Sequence, residues 1–318
     1  MMRTINLLEP LVDILLASYN GECYIAEQIE SIQQQTYTNW RLLISDDCST
    51  DGTLDIVRRF ASMDSRIEIV SANCKYGGAK ENFFAAMGYS DSSYCMFCDQ
   101  DDVWLPNKVE ITLEAMMQLE AKAPLVPTLV FTDMKVVSTN LDIIDDSFER
   151  FSAIDPTRTG FRQVLAQSIG AGCTMMINSM VRELALRIEN TDDVIMHDWW
   201  LCLIASAFGQ IGYLDVPTSL YRQHSNNEVG ALKYSPLNKA LHLDQMKNSV
   251  VDTIRQAGAV RSYFEDILDN EQLHIIGEFI SISETKGLPA VIHLIRSGCW
   301  KRGLRKIGQI IVCFEGIS

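Results

Sequence analysis

Three carboxylates lie within four residues at the end of an apolar run, in the segment YCMFCDQDDVW at residues 94–104. They are Asp99, Asp101 and Asp102. Clustered carboxylates repel one another and are costly to remove from water unless a positive charge meets them. Mg²⁺ and Mn²⁺ prefer oxygen ligands, and they usually bind one or two carboxylates together with phosphate oxygens. The segment therefore predicts a divalent metal site that holds a ligand with a diphosphate.

The first half of the sequence alternates between strand and helix patterns. Short continuous apolar runs predict strands that are buried on both faces, at residues 12–17, 41–45, 67–70 and 94–98. Helical spacing of apolar residues predicts helices between them, from the SYNGE segment to residue 35 and at 54–60, 79–87 and 106–120. Strands that alternate with helices of this length form parallel sheets with right-handed crossovers. We therefore predict an α/β fold.

Polar clusters follow three of the predicted strands. Ser18-Tyr19-Asn20 follows the first strand, Asp46-Asp47 the second and Asp99 to Asp102 the fourth. Ligands of such sheets bind beyond the carboxyl ends of the strands. Because all three clusters fall at that edge, we expect them to form one site.

The second half of the sequence is less regular. Residues 129–137 and 211–215 have the pattern of strands, and residues 198–208 that of a helix. The segment GAGCTMMI at 170–177 predicts a further strand, whose glycines allow a ligand to approach the backbone closely. The pattern is helical beyond about Pro236. We predict one α/β domain and a helical C-terminal extension: residues 1–235, with a nucleotide-binding half at about 11–125 and an acceptor half at about 126–235, and residues 236–318.

The overall composition is that of a folded protein. With 318 residues, 47% of them hydrophobic and 21% charged, the chain can bury a full core. The net charge of -14 argues against broad binding to nucleic acid, which requires a basic face. An acidic protein that binds an anionic substrate needs local cations or a metal.

The cysteines and apolar runs indicate the compartment. Nine scattered cysteines lack the pattern of a disulfide framework, which suits a reducing cytoplasm. Cys95 and Cys98 form one CxxC, but on a strand they would point to opposite faces, so we expect core thiols. No signal peptide is evident, and the longest apolar run, Trp199 to Leu214, is too short for a membrane span. We expect a cytoplasmic protein that is not integral to a membrane.

Residues 291–318 differ in charge from the rest of the chain. They carry a net charge of +4 from five basic residues and one acid. Apolar residues lie between the basic ones, as in amphipathic helices that lie on anionic lipid: Trp300, Leu304, Ile307, Ile310, Ile311 and Phe314. Packing on the body of the protein or on a second subunit, as in a homodimer, is the alternative.

Two other nucleotide-binding motifs are absent. No GxxxxGK[ST] occurs, which excludes a P-loop. Gly170 and Gly172 begin a GxG, but Met175 breaks the dinucleotide fingerprint. The loop SYNGECY also lacks the glycines and basic residues that a nucleotidyltransferase requires after its first strand.

The segment DILLASYNGECYIAEQIESIQQQTYTNWRLLISDDCSTDGT resembles the opening of the family 2 inverting glycosyltransferases. These enzymes have a (T/S)YN turn, a helix that ends in SxxxQTY, a DDxSxDGT segment and a DxD, which DQDD matches here. The resemblance covers residues 11 to about 230. It implies the GT-A fold, a Rossmann-like and mostly parallel sheet flanked by helices, with a nucleotide-sugar donor and Mg²⁺ or Mn²⁺.

The resemblance also implies roles for individual residues. Asp99 would face the ribose, Asp101 would bind the metal with Asp99 and His224, and Asp46 would accept a hydrogen bond from a pyrimidine base. The other residues expected at the donor are Ser18, Tyr19, Asn20, Glu22, Lys80, Asn82, Gln100 and Arg222. For Asp47, Ser49 and Asp51, turn-building and helix capping are the preferred interpretation.

An inverting displacement needs one carboxylate that deprotonates the acceptor hydroxyl. The family usually supplies it from an ED pair at the start of a helix. The matching segment here is VIMHDWW, which makes Asp198 the candidate base and puts His197 in place of the glutamate. Trp199 and Trp200 are either platforms on which the acceptor sugar stacks or core residues. A purely structural Asp198, as a charge at a helix N-terminus, is the alternative.

The segments FCDQDDVWLPNK, GAGCTMM, MHDWW and YRQHSNN are similar to those of bacterial rhamnosyltransferases of O-antigen or capsule assembly. This similarity implies dTDP-L-rhamnose as donor and a lipid-linked oligosaccharide as acceptor. It also implies a location on the inner face of the cell membrane. A galactosyl- or glucosyltransferase that uses a UDP-sugar is the close alternative, and a non-catalytic nucleotide-sugar binding protein is the other.

Overall fold

A computed structural model describes residues 9–72, 74–224 and 243–317. The strands in these ranges form a single mixed sheet. Their bounds are β1 Val12–Ser18, β2 Trp40–Asp46, β3 Ile67–Ser71, β4 Tyr94–Asp99, β5 Val103–Trp104, β6 Thr128–Val137, β7 Ile143–Asp145, β8 Met175–Asn178 and β9 Gln210–Arg222.

Helices cover both faces of the sheet and form the C-terminal part of the chain. Those of the α/β part are α1 Ile25–Gln33, α2 Thr53–Met63, α3 Ala79–Gly88, α4 Lys108–Lys122, α5 Phe148–Phe151, α6 Phe161–Ala166, α7 Ser179–Ala185 and α8 His197–Phe208. The C-terminal helices are α9 Leu243–Phe264, α10 Asn270–Ile280, α11 Leu288–Ser297 and α12 Arg305–Glu315. None of the helices in the described ranges has both the length and the apolar character that a membrane span requires.

The strand order places the first half of the chain at one side of the sheet. The order is β3-β2-β1-β4-β8-β6-β9-β5, and β7 pairs with β6. The first four strands pair in parallel, as predicted from their continuous apolar runs. β8 lies antiparallel between β4 and β6, and it joins the parallel pair of β6 and β9 to the first half.

Alternate residues of the central strands enter two separate cores. Leu15 and Phe97 belong to one hydrophobic cluster, whereas Ile14 and Met96 belong to the cluster on the other side of the sheet. Burial on both faces explains why these strands are mostly apolar. The buried Asp13 of β1 is paired with Arg41. Cys95 and Cys98 likewise enter different clusters, which confirms the prediction of core thiols on opposite faces.

The second half was predicted less well. The strand expected at 211–215 is β9, which has 13 residues. The strand expected at 170–177 is a 3₁₀ turn at Gly172–Thr174 followed by the short β8. β5, β7 and the helices α5 to α7 were not predicted, because such short elements lack a measurable period. The predicted domain boundary at residues 235 and 236 lies outside the described residues.

The basic tail forms two helices instead of one. Gly298 and Gly303 have φ values of 68° and 57°, a conformation that ends helices and that glycine adopts without strain. The N–H of Gly287 bonds to the carbonyl of Cys313, so α11 and α12 run antiparallel. Val312 and Cys313 are buried in the main core, and one face of α12 therefore packs on the body of the protein.

Candidate functional site

The ends of β1, β2 and β4 bring the three polar clusters together. In the register of the sheet, Ser18 of β1 lies opposite Asp46 of β2, and Ala17 lies opposite Asp99 of β4. The loops that follow these strands therefore start from neighbouring points on one edge. The clusters therefore lie together at one edge of the sheet, as expected; that they form one site stays a prediction.

The loops after β1 and β2 are joined by hydrogen bonds. Asn20, which has a φ of 48°, accepts from the N–H of Thr50 over 2.8 Å through its side-chain oxygen. Glu22 accepts from the N–H of Gly52 over 2.7 Å. Asn20 and Glu22 are both exposed. Their hydrogen bonds fix the conformation of the two loops, and both side chains remain accessible to a ligand.

Gln100 joins the loop after β1 to the loop after β4. Its side-chain amide donates to the carbonyl of Tyr19 and accepts from the N–H of Tyr19, each over 2.9 Å. A Cβ at Gly21 would lie 2.2 Å from the side-chain oxygen of Gln100, so a larger residue there would displace this amide from Tyr19. This pairing leaves the ring of Tyr19 53% exposed above the edge of the sheet.

Asp46 differs from its expected place at a nucleotide base. It is fully buried, and its carboxylate accepts from Ser18 Oγ over 2.8 Å and from Ser49 Oγ over 2.6 Å. Direct contact between Asp46 or Ser18 and a base is at odds with this burial. Asp47 accepts from the N–H groups of Tyr76 and Gly77. These partners lie 29 and 30 residues away, so Asp47 joins two loops instead of building a local turn. Ser49 and Asp51 do form local bonds, to Asp46 and to the N–H of Thr53, in agreement with the turn-building and capping interpretation.

The carboxylates at the end of β4 differ in burial. Asp99 and Asp101 are half-buried, whereas Asp102 is fully buried. Ligand atoms of Asp99, Asp102 and Cys173 lie within 4.8 Å of one another. Burial and the neighbouring carboxylates raise the pKa of the Cys173 thiol well above its usual range. Sulfur is also a soft ligand, whereas Mg²⁺ and Mn²⁺ prefer oxygen.

Asp101 and His224 form the pair that fits a divalent metal. Nε2 of His224 lies 2.8 Å from Oδ2 of Asp101, and the imidazole stacks on Tyr24 with 4.8 Å between ring centroids. Carboxylate oxygens and an imidazole nitrogen are donors that Mn²⁺ and Mg²⁺ accept. With Asp99 on the same turn, the residues present fit the predicted metal.

Arg222 lies behind this turn instead of facing it. The side chain is buried and donates to the carbonyls of Asp101, over 2.9 Å, and of Thr139. It also forms a short ion pair with Glu27. Arg222 therefore fixes the backbone of the DQDD turn, a role that the sequence did not predict, and its expected place at the donor stays a prediction.

Asp198 lies at the second position of α8. Its Oδ2 accepts from the N–H of Gly172 over 3.1 Å, and its Oδ1 accepts from the N–H of Trp199 over 2.6 Å. Burial raises the pKa of Asp198 to about 6. Because Gly172 is followed by Cys173, which lies beside Asp99, one turn links the candidate base to the carboxylate cluster.

His197 does not face an acceptor. It is buried, its ring packs 4.2 Å from Phe83, and neither ring nitrogen has a hydrogen-bond partner in the described part of the chain. Burial lowers the pKa of His197 to about 3, so the ring is neutral. A Cβ at Gly172 would lie 2.6 Å from Nε2 of His197. The ring of His197 thus packs against the turn that bonds to Asp198. His197 was predicted to contact the acceptor, but here it is a packing residue.

The two tryptophans separate into the two roles left open by the sequence. Trp200 is fully buried and stacks on Phe264 at 5.7 Å, which makes it a core residue. Trp199 is half-buried and its indole N–H donates to the carbonyl of Val164 over 2.6 Å. Trp199 lines a surface cavity, so it is the tryptophan that remains accessible to a sugar.

Lys80 and Asn82 have internal partners. The ammonium of Lys80 donates to the carbonyls of Thr191 and Val194, over 2.8 and 3.0 Å. Asn82 is buried and donates to the carbonyl of Ser45 over 3.0 Å. Both side chains therefore stabilise the protein around the site. Their predicted contact with the donor is at odds with these hydrogen bonds.

Two residues of the site were not predicted. Lys108 is fully buried, donates to Thr218 Oγ1 over 2.9 Å, and has a pKa lowered to about 8 by burial. A lysine at the start of a helix is typical of an exposed position, so nothing in the sequence indicated that Lys108 is buried. Cys173 was missed because a single buried thiol has no motif, although its GAGC segment was singled out for close backbone approach.

Comparison with known proteins supports the resemblance that the motifs suggested. The model of glycosyl transferase family 2 matches residues 13–184. The chain is 34% identical over 227 residues to the dTDP-rhamnosyl transferase RfbG of Shigella flexneri, an alignment that covers 68% of this chain and 74% of RfbG.

A second relative acts on a lipid-linked sugar. It is the UDP-Glc:alpha-D-GlcNAc-diphosphoundecaprenol beta-1,3-glucosyltransferase WfgD of Escherichia coli, which is 29% identical over 167 residues. That alignment covers 52% of this chain and 59% of WfgD.

Solved structures with a similar fold have low sequence identity to this chain. S. aureus TarS 1–349 in complex with UDP has a TM-score of 0.54 at 14% identity, and the match covers 96% of this chain and 90% of that one. The mannosyltransferase PcManGT from Pyrobaculum calidifontis, in complex with GDP-Man and Mn²⁺, has a TM-score of 0.50 at 18% identity and covers 96% and 81%. These matches confirm the predicted fold class.

Proposed function

Because this chain belongs to glycosyl transferase family 2, we propose that it transfers L-rhamnose from dTDP-L-rhamnose to a hydroxyl of a lipid-linked oligosaccharide. The process would be the synthesis of a bacterial O-antigen or capsular polysaccharide. The 34% identity to a dTDP-rhamnosyl transferase supports this donor. A UDP-hexose donor is the second candidate, because WfgD uses UDP-Glc. The chain is a glycosyltransferase, so a non-catalytic binding protein is set aside.

One observation carries the proposed chemistry. Gly172 and Cys173 are consecutive residues, yet the first bonds to Asp198 and the second lies beside Asp99 and Asp102. The candidate base is therefore held next to the carboxylates expected at the donor diphosphate. An inverting transfer requires this juxtaposition of a base with the donor.

The proposed reaction is a single displacement. The acceptor oxygen forms a bond to the anomeric carbon while the bond from that carbon to the diphosphate oxygen breaks, and the nucleoside diphosphate leaves with the electron pair. Asp198 takes the proton of the acceptor hydroxyl through its carboxylate. Its pKa of about 6 leaves it ionised at neutral pH, yet basic enough to accept that proton.

Asp99, Asp101 and His224 would hold Mg²⁺ or Mn²⁺. When bound there, the cation would offset the negative charge of the diphosphate. The protein supplies the rest of the site through Gln100 and Arg222, which hold the two neighbouring turns in place. Mn²⁺ in the structure of PcManGT is consistent with this choice of cofactor.

The C-terminal hairpin is proposed to bind the membrane surface. α11 and α12 expose seven large apolar side chains, which we call the apolar ridge: Leu288, Ile292, Ile295, Leu304, Ile307, Ile311 and Phe314. The exposed Arg296, Arg302 and Lys306 belong to the same two helices and the loop between them, which suits an anionic lipid surface and a lipid-linked acceptor. We therefore propose a cytoplasmic enzyme on the inner face of the cell membrane. A homodimer formed through the ridge is the alternative.

A direct assay tests the proposed function. The full chain is incubated with dTDP-L-rhamnose, UDP-glucose or UDP-galactose, with Mn²⁺, Mg²⁺ or EDTA. A synthetic N-acetylglucosaminyl diphosphate lipid serves as the acceptor. Mass spectrometry should detect a product with one added deoxyhexose, only with dTDP-L-rhamnose and a divalent metal. A hexose product would favour the UDP-sugar alternative, and transfer in EDTA would contradict the metal requirement.

A further inference from the structure

A cavity of about 270 Å³ lies between α8 and the first turns of α9. It is lined by Ile195, Trp199, Gln245, Asn248, Ser249 and Asp252. The four lining residues from α9 are spaced by three, one and three positions, so they lie on one face of that helix. This face was not predicted as part of any site, because α9 belongs to the C-terminal extension.

The chemistry of the lining is that of a carbohydrate site. The indole N–H of Trp199 is already bonded to the carbonyl of Val164, so the ring offers only its apolar atoms to the cavity. Gln245 and Asn248 supply amide donors and acceptors, and Ser249 supplies a hydroxyl. A sugar ring presents C–H groups on its faces and hydroxyls around its edge, which complements an aromatic ring beside amides.

The charges at the cavity suit a neutral ligand. Among the described residues that line it, Asp252 is the ionisable one, and its Oδ1 pairs with Arg255 over 3.2 Å at an accessible position. Lys301 is bonded to Ser249 Oγ over 2.7 Å from the loop between α11 and α12. The carboxylate of Asp252 and the ammonium of Lys301 are thus both engaged by protein groups, and a neutral sugar would find hydrogen-bond partners for its hydroxyls without adding an unpaired charge.

The position of the cavity connects it with the proposed acceptor. Trp199 directly follows Asp198, the candidate base, and its N–H donates to that carboxylate. The volume lies just below the range of about 300 to 1,000 Å³ that is usual for small-molecule pockets, so it suits one sugar ring and not an oligosaccharide. Ser249, through Lys301, also links the cavity to the loop that precedes the apolar ridge.

We propose that this cavity binds one neutral sugar ring of the acceptor. The proposal rests on the proposed glycosyltransferase function and adds α9 to the acceptor site. The ring bound here would lie against Trp199, the residue that follows Asp198, and against the first turns of α9. Gln245, Asn248 and Asp252 would orient its hydroxyls.

Saturation-transfer NMR on the full chain tests this site with defined probes. The probes are methyl α-L-rhamnoside, methyl β-D-glucoside and methyl N-acetyl-β-D-glucosaminide, with methyl β-D-glucuronide as the anionic comparison. We expect saturation transfer to at least one neutral glycoside and a several-fold weaker signal with the glucuronide. Asn248→Ala and Asp252→Asn should each reduce the neutral signal at least threefold.

Matched controls separate the outcomes. Asp244→Asn and Ser262→Ala lie on α9 outside the cavity and should leave the signal unchanged. Binding of dTDP and UDP with Mn²⁺ is measured in parallel and should be equal in all variants. Absence of a neutral-glycoside signal, or an equal signal in Asn248→Ala and Asp252→Asn, would overturn the proposal even if the nucleotides bind. Loss of nucleotide binding in the unmodified chain would instead count against the proposed function.

Discussion

The N–H of Gly172 donates a hydrogen bond to Oδ2 of Asp198 over 3.1 Å. This bond joins the turn before β8 to the N-terminus of α8, two segments that are 26 residues apart. It orients one carboxylate oxygen, and the N–H of Trp199 orients the other. The candidate base therefore has a defined direction before any substrate is bound.

Substitution of the base should remove transfer and spare donor binding. We expect Asp198→Asn to lower the rate of transfer by about 10²- to 10⁴-fold, because an amide cannot accept the proton. Affinity for the nucleoside diphosphate with Mn²⁺ should stay within twofold by calorimetry. Retention of full transfer by Asp198→Asn would rule out this residue as the base.

The rate should depend on pH with a midpoint near the pKa of Asp198, which is about 6. Below that pH the carboxyl is protonated and cannot accept a proton, so kcat/KM should fall about tenfold for each pH unit. Nucleotide affinity measured at the same pH values separates this effect from loss of donor. A rate that is constant between pH 5 and pH 7, with binding also constant, would contradict the assignment.

Asp101→Ala should weaken both donor binding and transfer. Loss of a metal ligand is expected to lower Mn²⁺-dependent affinity for dTDP or UDP about 10- to 100-fold. Glu68→Ala, an exposed acid on β3, is the control and should bind as the unmodified chain does. Equal affinities for Asp101→Ala in Mn²⁺ and in EDTA, both matching the unmodified chain, would exclude Asp101 from the metal site.

Gly172→Ala should disturb the base through His197. The added Cβ would lie 2.6 Å from Nε2 of His197 and 3.4 Å from Cβ of Asp198, an overpacking that costs about 1–3 kcal/mol. We expect a lower kcat and a lower Tm. Gly258→Ala in α9 is the matched control, since its Cβ would meet no atom within 4 Å.

A double variant checks the origin of that effect. His197→Ala should relieve the contact, so the effects of Gly172→Ala and His197→Ala on kcat should not be additive. Additive losses would show that the glycine matters for another reason.

The apolar ridge predicts binding to anionic vesicles. We expect Ile307→Ser and Phe314→Ser, at side chains that are 54% and 55% exposed, each to reduce co-sedimentation with phosphatidylglycerol vesicles roughly fivefold. Leu125→Ser is the control, because it is 88% exposed but lies between α4 and β6. Point substitutions are preferable to deletion of residues 291–318, which would remove the buried residues Leu294 and Val312.

Sedimentation analysis tests whether the apolar ridge forms a homodimer instead of binding the membrane. If a second copy of the chain covers it, the unmodified protein should sediment as a dimer and Phe314→Ser as a monomer. Vesicle binding that is equal in all variants would exclude the ridge as the membrane contact.

The sequence predicted the edge of the sheet at which the site lies, because each of β1, β2 and β4 is mostly apolar and ends in polar residues. It did not predict which polar side chains face outward. Asp46 and Ser18 lie at strand ends, where the bonds between them keep both buried. Tyr19, one residue further along, is exposed. The position of a residue in the motif therefore does not show whether its side chain is buried or exposed.

The sequence also did not predict contacts between residues that are far apart along the chain. Arg222 looked like a cation for the diphosphate because it follows a late strand, but its partners at 27, 101 and 139 become neighbours only when the sheet forms. His197 looked like a replacement for a catalytic glutamate. Its aromatic surroundings come from α3 and β4, which no local pattern connects with α8.

The buried guanidinium of Arg222 has a consequence for protein engineering. Exchange of the second half of this chain for that of a relative, in order to change the sugar that is transferred, would bring in a new strand end opposite Glu27 and the carbonyl of Asp101. A chimera that lacks an arginine at that place would lose the DQDD conformation together with the intended specificity. Grafts between relatives should therefore carry residues 27, 101, 139 and 222 as one set.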